Sequence, residues 1–273
     1  MRTVSPESSG VARVPATRDA PAYDLYVPAA RRARGRLLVL VHGISRNVHE
    51  LVSAFRPLAA RHGIALVAPL FDEKGYPGYQ RLGLGARAGA VPRHDLVLRH
   101  VLAAARGRAD LPEGPFYMFG HSGGAQFTHR YAMVHPNDVA RYALSAAGWY
   151  TMPDLALKFP KGMKVAAEVG GLVLDLEAFL RIPACVFAGT ADTERNEALR
   201  QSAFLDSTEG RTRFERAERW VAAITMAARW RGFDTPFRFQ PVSGAGHDFT
   251  DVAERGRIAE MAMTWLLDEA PSG

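Results

Sequence analysis

Residues 119–127 read FGHSGGAQF, which sets Ser122 between Gly120 and Gly124, with His121 before it and Gly123 after it. The run PFYMFGH that ends there has the make-up of a buried strand, and Gly123 to His135 has that of a helix. A strand that passes into a helix through a glycine-flanked serine must turn sharply. The glycines leave room where any side chain would strike the adjoining strand and helix. The serine hydroxyl is then held at the strand's C-terminal end, facing the N–H groups that open the helix.

Working outward, the same alternation recurs. RLLVLVHG (36–43), IALVAPLF from Ile64, VARYALSAAGW, IPACVFAGT and PFRFQPVSG read as further strands, most of them continuous apolar runs suited to a sheet covered on both faces. Helical spacing is expected over 47–62, from near Pro92, over about 209–231 and over 251–267. The first ~20 residues read as irregular, and YDLYVP from Tyr23 as a short edge strand. Strands alternating with helices predict an α/β chain with an open, mostly parallel sheet and helices on both faces. The stretch from about 149 to 181 is longer than an ordinary connection and holds GLVLDLEAFL, so it reads as a cap-like insertion into one domain spanning residues 1–273. Its Leu172, Leu174 and Phe179 are candidates to close over a pocket.

A serine hydroxyl attacks poorly at neutral pH without a base and without donors for the oxyanion that it creates. A glycine-rich turn with a structural serine is also consistent with the string FGHSGGAQF, so the partners decide. His247 in PVSGAGHDF follows the last strand, where a base is needed. Asp192 in CVFAGTADTERN follows the strand before it, with Glu194 as the alternative acid; Asp248 reads as a loop cap. The order Ser122, Asp192, His247 is that of an α/β-hydrolase. One oxyanion donor is expected at the N–H of Gly123. The other is expected at Ile44, or alternatively Ser45, in the loop that leaves the HG of residues 42–43. The remaining helix-borne histidines read as packed or surface residues.

Together these elements resemble the α/β-hydrolase fold over nearly the whole chain. HGISRN, VAPLFDEKGYPGYQ, GHSGGAQFTHR, AGWYTMPD and SGAGHD further resemble the bacterial poly(3-hydroxybutyrate) depolymerase-like hydrolases, relatives of feruloyl-esterase-like proteins. That resemblance implies hydrolysis of carboxylic esters, of hydroxyalkanoate or aryl type, on a Ser-Asp-His triad matched by Ser122, Asp192 and His247. Acyl transfer or amide cleavage on the same residues is an alternative, and so is a non-catalytic ligand-binding homologue.

Pocket walls are expected from loops at the strand ends: Arg46, Asn47, Tyr76, Tyr79, Trp149 and Tyr150. Arg46 is the polar choice for a substrate carboxylate. No cofactor and no metal are implied, since there is no HExxH and no paired-cysteine motif. GLGARAG (83–89) lacks the spacing and the preceding strand of a dinucleotide loop. The single cysteine, Cys185, excludes an internal disulfide and sits in an apolar run. The net charge of +6 is spread over arginines interleaved with acids, which argues against a nucleic-acid partner. The start of the chain has no apolar leader core, and no run approaches a membrane span, so a cytoplasmic protein is the expectation. The oligomeric state is left open, a homodimer included.

Overall fold

The computed structural model describes residues 10–29, 36–84, 92–165 and 172–268. Its core is one eight-stranded sheet. The strands are β1 (Val11–Val14), β2 (Tyr23–Tyr26), β3 (Leu37–Val41), β4 (Ala65–Pro69), β5 (Phe116–His121), β6 (Val139–Ser145), β7 (Ala184–Gly189) and β8 (Phe237–Val242). Their order is β1-β2-β4-β3-β5-β6-β7-β8. The pairs β1–β2 and β2–β4 are antiparallel and the rest are parallel. All of LLVLV in β3, ALVAP in β4 and ACVFAG in β7 is buried, as a strand covered on both faces requires.

One face carries α2 (His94–Ala109), α3 (Gly123–Val134) and α6 (Arg213–Arg229), whose Leu98, Phe127 and Trp220 share a core with Val39 and Val186. The other face carries α1 (Val48–His62), α7 (Phe249–Gly256) and α8 (Ile258–Leu267), packed on Leu38, Leu40 and Phe187. The described residues also form two short α-helices, α4 (Leu176–Phe179) and α5 (Ala203–Thr208). After β3 the chain moves to β4 on one side; β5 then lies on the other side of β3. The crevice between the C-terminal ends of β3 and β5 is therefore the sheet's switch point, where ligands bind in open α/β sheets. Val41 is in register with Gly120 there.

Several expectations need correction. The first ~20 residues are not all irregular, because Val11–Val14 forms the outer strand and pairs with residues 23–26. The segment from Tyr23 is consequently an interior strand, buried at all four positions. The helix expected over 251–267 is two helices, because Arg257 takes a left-handed conformation with φ 48° and turns the chain between them. The helix expected from about 209 starts at Arg213, with α5 formed separately before it. In the 149–181 stretch, Phe179 of α4 is buried and stacks on Tyr142 of β6 at 6.1 Å, so it packs on the core. Residues 166–171 of that stretch, and 85–90 of GLGARAG, lie outside the described residues.

Candidate active site

Ser122 joins β5 to α3 with φ 53° and ψ −113°, a backbone geometry that a side chain rarely adopts. Close approach explains the flanking glycines. A Cβ on Gly120 would lie 2.5 Å from Thr128 Oγ1, and one on Gly124 would lie 2.0 Å from the Val41 carbonyl oxygen. Only glycine lets α3 sit this close to β3 and β5. The Ser122 N–H is fixed by donating to Ser145 O at 2.7 Å.

Loops after β7 and β8 bring the other two residues. Ser122 Oγ lies 3.1 Å from His247 Nε2, and His247 Nδ1 lies 2.9 Å from Asp192 Oδ2. A carboxylate only accepts, so Nδ1 donates to Asp192 and Nε2 of the neutral ring accepts from the Ser122 hydroxyl. Asp192 is buried, and its Oδ1 accepts from Arg213 Nη1 at 3.1 Å, where both side chains are 1% exposed. Glu194 is exposed and has Asn196 as its partner. Asp248 caps α7, accepting from Thr250 N at 2.8 Å.

Gly123 and Ile44 lie side by side, since a Cβ on Gly123 would come within 3.0 Å of Ile44 Cγ2. Gly123 opens α3, so its N–H has no partner within the helix. Among the described residues, no backbone carbonyl accepts from the N–H of Ile44. Arg46 donates to Phe71 O at 3.2 Å and to Ile44 O at 2.5 Å, which ties its guanidinium to the loop holding Ile44.

The cleft beside Ser122 measures about 670 Å³. Ile44, Arg46, Arg81, Gln126, Trp149 and Arg200 are among its lining residues. Of the six side chains expected in the walls, Arg46 and Trp149 are there and four are not. Asn47 donates to Glu50 at the start of α1. Tyr76 packs against Phe71 and His94. Tyr79 is buried, stacks on Phe71 at 5.3 Å and donates to His42 O at 2.8 Å; burial raises its phenol above the ordinary range. Tyr150 is buried on Trp220 at 4.8 Å. The aromatic loop thus folds inward on Phe71 instead of facing the cleft.

Two histidines that sequence spacing left unassigned support the site from beneath. His42 accepts from Phe71 N at 3.0 Å, and burial pushes it down to about 4. The His121 ring lies 5.5 Å from that of His247, tilted by 30°, with Nδ1 3.1 Å from Ser145 Oγ. Burial, then the nearby His247, pushes His121 down to about 3, so it stays neutral beside the base. Among the described residues no cluster of ligands suits a metal ion, and no helix is long and apolar enough to cross a membrane.

No protein-family model matches the chain, and no curated protein matches it. Solved structures do. The poly(3-hydroxybutyrate) depolymerase LpqC of Bordetella parapertussis is 27% identical, with a TM-score of 0.78 over 97% of this chain and 92% of that one. The poly(aspartic acid) hydrolase-1 of Sphingomonas sp. KT-1 is 24% identical, with a TM-score of 0.77 over 93% and 97%. An S-formylglutathione hydrolase of Agrobacterium tumefaciens is 13% identical, with a TM-score of 0.59 over 94% and 95%. The switch-point serine, the eight-stranded sheet and these likenesses together give the chain the α/β-hydrolase fold, with a resemblance to depolymerases and esterases.

Proposed function

We propose that the protein is a serine hydrolase that cleaves carboxylic esters through an acyl-enzyme. The observation that carries this reading is the unbroken chain Ser122 Oγ to His247 Nε2 at 3.1 Å and His247 Nδ1 to Asp192 Oδ2 at 2.9 Å. His247 takes the Ser122 proton as the oxygen attacks the ester carbonyl. Asp192 fixes the ring tautomer and stabilises the imidazolium that forms. The N–H groups of Gly123 and Ile44 receive the oxyanion, helped by the positive end of α3. His247 then protonates the departing alcohol, and water releases the acid by the same steps in reverse. The chain acts as one domain, and the 149–181 stretch contributes Trp149 to the substrate cleft.

The test is hydrolysis of p-nitrophenyl esters of increasing acyl length by wild type and Ser122→Ala, with fluorophosphonate labelling of both. Wild type is expected to turn over and to label. Ser122→Ala is expected to do neither, with kcat lower by on the order of 10⁴-fold or more. A folded wild type that neither hydrolyses an ester nor takes the label overturns the reading.

A further inference from the structure

The cleft beside Ser122 is built around guanidinium groups. Arg81 and Arg200 both line it, and among the described residues neither has an ion-pair partner. Glu73 and Glu197 lie in the same lining, and among the described residues neither reaches Arg81 or Arg200 at ion-pair distance. Two guanidiniums lie over the Trp149 ring, with Arg130 Cζ 4.2 Å and Arg200 Cζ 5.2 Å from its centroid.

Behind this wall Arg130 is fully buried. Its Nη1 donates to Gln80 O at 2.6 Å and toward Gln126 Oε1 at 3.4 Å, two residues of the cleft lining, while its Nη2 has no partner among the described residues. Burial pushes Arg130 down to about 9; Glu209 opposes that shift, and the positive fields of Arg81 and Arg200 add to it. Burial and Arg200 also lower Arg81. With Arg130 behind them, Arg81 and Arg200 set three cations against one wall; Glu209 faces Arg130, while the two that line the cleft have no ion-pair partner among the described residues, an arrangement that an anion relieves. The wall is also anchored. Buried Arg216 donates to Gly148 O at 2.6 Å and to Arg200 O at 2.9 Å, which ties the backbone just before Trp149 to that of Arg200.

We propose that Arg81 and Arg200 select esters that carry a free carboxylate on the arm lying along Trp149. This rests on the ester-hydrolase reading and names its substrate class. Arg46 lines the same cleft, but its Nε and Nη1 already donate to the Phe71 and Ile44 carbonyls, so Arg81 and Arg200 are the better-placed partners. The carboxylate can belong to either side of the ester, the acyl arm or the alcohol arm, and both present the same group to the wall.

Two matched substrate pairs separate these sources. The acyl-arm pair is the p-nitrophenyl monoester of glutaric acid and its methyl-capped neutral form. The alcohol-arm pair is 3-acetoxybutyrate and its methyl ester, followed by acetate release. The quantity read is the ratio of kcat/KM for the charged member to that for the neutral member, within each of wild type, Arg81→Gln, Arg200→Gln and the double variant. A general loss of folding or chemistry cancels in that ratio. It is expected to fall roughly tenfold in each single variant and further in the double, chiefly through KM, for at least one pair. The pair that responds assigns the arm. Arg200→Glu is expected to reverse the preference toward an ester bearing a trimethylammonium group, a gain that a structural role would not produce. A ratio unmoved in both pairs, with Ser122 still labelled by fluorophosphonate and neutral ester still hydrolysed, overturns this inference alone. Loss of both labelling and turnover in folded wild type overturns the hydrolase reading with it.

Discussion

Gly124 tolerates nothing larger than hydrogen, because its added methyl would lie 2.0 Å from one backbone oxygen, that of Val41, and 2.6 Å from a second, that of His42. Neither atom is the loose end of a side chain, so relief requires α3 to move off the sheet. Gly124→Ala is expected to cost about 3 kcal/mol or more, read from the urea midpoint, and to lower fluorophosphonate labelling of Ser122 in the protein that remains folded. A variant of wild-type stability would mean that α3 has slack at its start. At this scale the sequence was most readable where a residue's chemistry depends on its place in the strand order. Ser122, Asp192 and His247 lie in the connections that leave β5, β7 and β8, so the apolar runs pointed to them. Arg213 was not readable. It stands in RTRFERAERW, where alternating charges look like a solvated helix face, yet it is buried against Asp192. Arg46 and Trp149 do line the cleft, whereas the tyrosines were misplaced for the converse reason, since a tyrosine in a glycine-rich loop packs inward as readily as it faces a ligand. Tyr76 and Tyr79 took the inward course.

At the level of elements, α6 is the one whose start matters most to the site. Thr212 caps it, with Oγ1 accepting from Glu215 N at 3.2 Å, and Glu215 reaches back to accept from Arg211 N at 2.7 Å. The first helical residue after that cap is Arg213, which holds Asp192; Arg216 one turn on holds the Gly148 and Arg200 carbonyls. Thr212→Ala is expected to cost about 1 kcal/mol by loss of the cap. Arg213→Met is expected to cost about 3 kcal/mol, because it leaves Asp192 buried without its cation. Urea unfolding of both variants checks the order. Equal costs would mean that Asp192 is satisfied by His247 and the Arg213 pair contributes nothing net. Element boundaries were readable wherever glycine or an apolar run marked them, as at Gly63, which ends α1 at φ 68°. They were lost where tertiary packing overrode local signal. Arg257 gives no sequence sign of a left-handed turn, and β1 has three positions that are not buried and therefore no apolar run to betray it.

Over the whole molecule, the net charge of +6 conceals a buried ionic layer between the sheet and the cleft. Arg130, Arg213 and Arg216 are all fully buried, and Glu209 lies among them. Its Oε2 accepts from Tyr150 N at 2.7 Å, while its Oε1 has no partner among the described residues. Burial raises this carboxyl from its ordinary 4.5 to about 7, against the opposing pull of the Tyr150 N–H, Arg216 and Arg130. A carboxyl whose folded pKa exceeds its unfolded one binds more protons when folded. Its contribution to stability is therefore fully present below about pH 4.5 and is lost as pH rises through about 7. Glu209→Gln removes that titration and leaves an amide oxygen able to accept from Tyr150 N. Relative to wild type, the variant is expected to gain stability as pH rises from ~5 to ~8, by at most about 3 kcal/mol. Urea unfolding of both proteins at several pH values across that window is the measurement. If the two curves of unfolding free energy against pH run parallel, Glu209 is ionised throughout, and the arginines around it hold the charge that burial opposes.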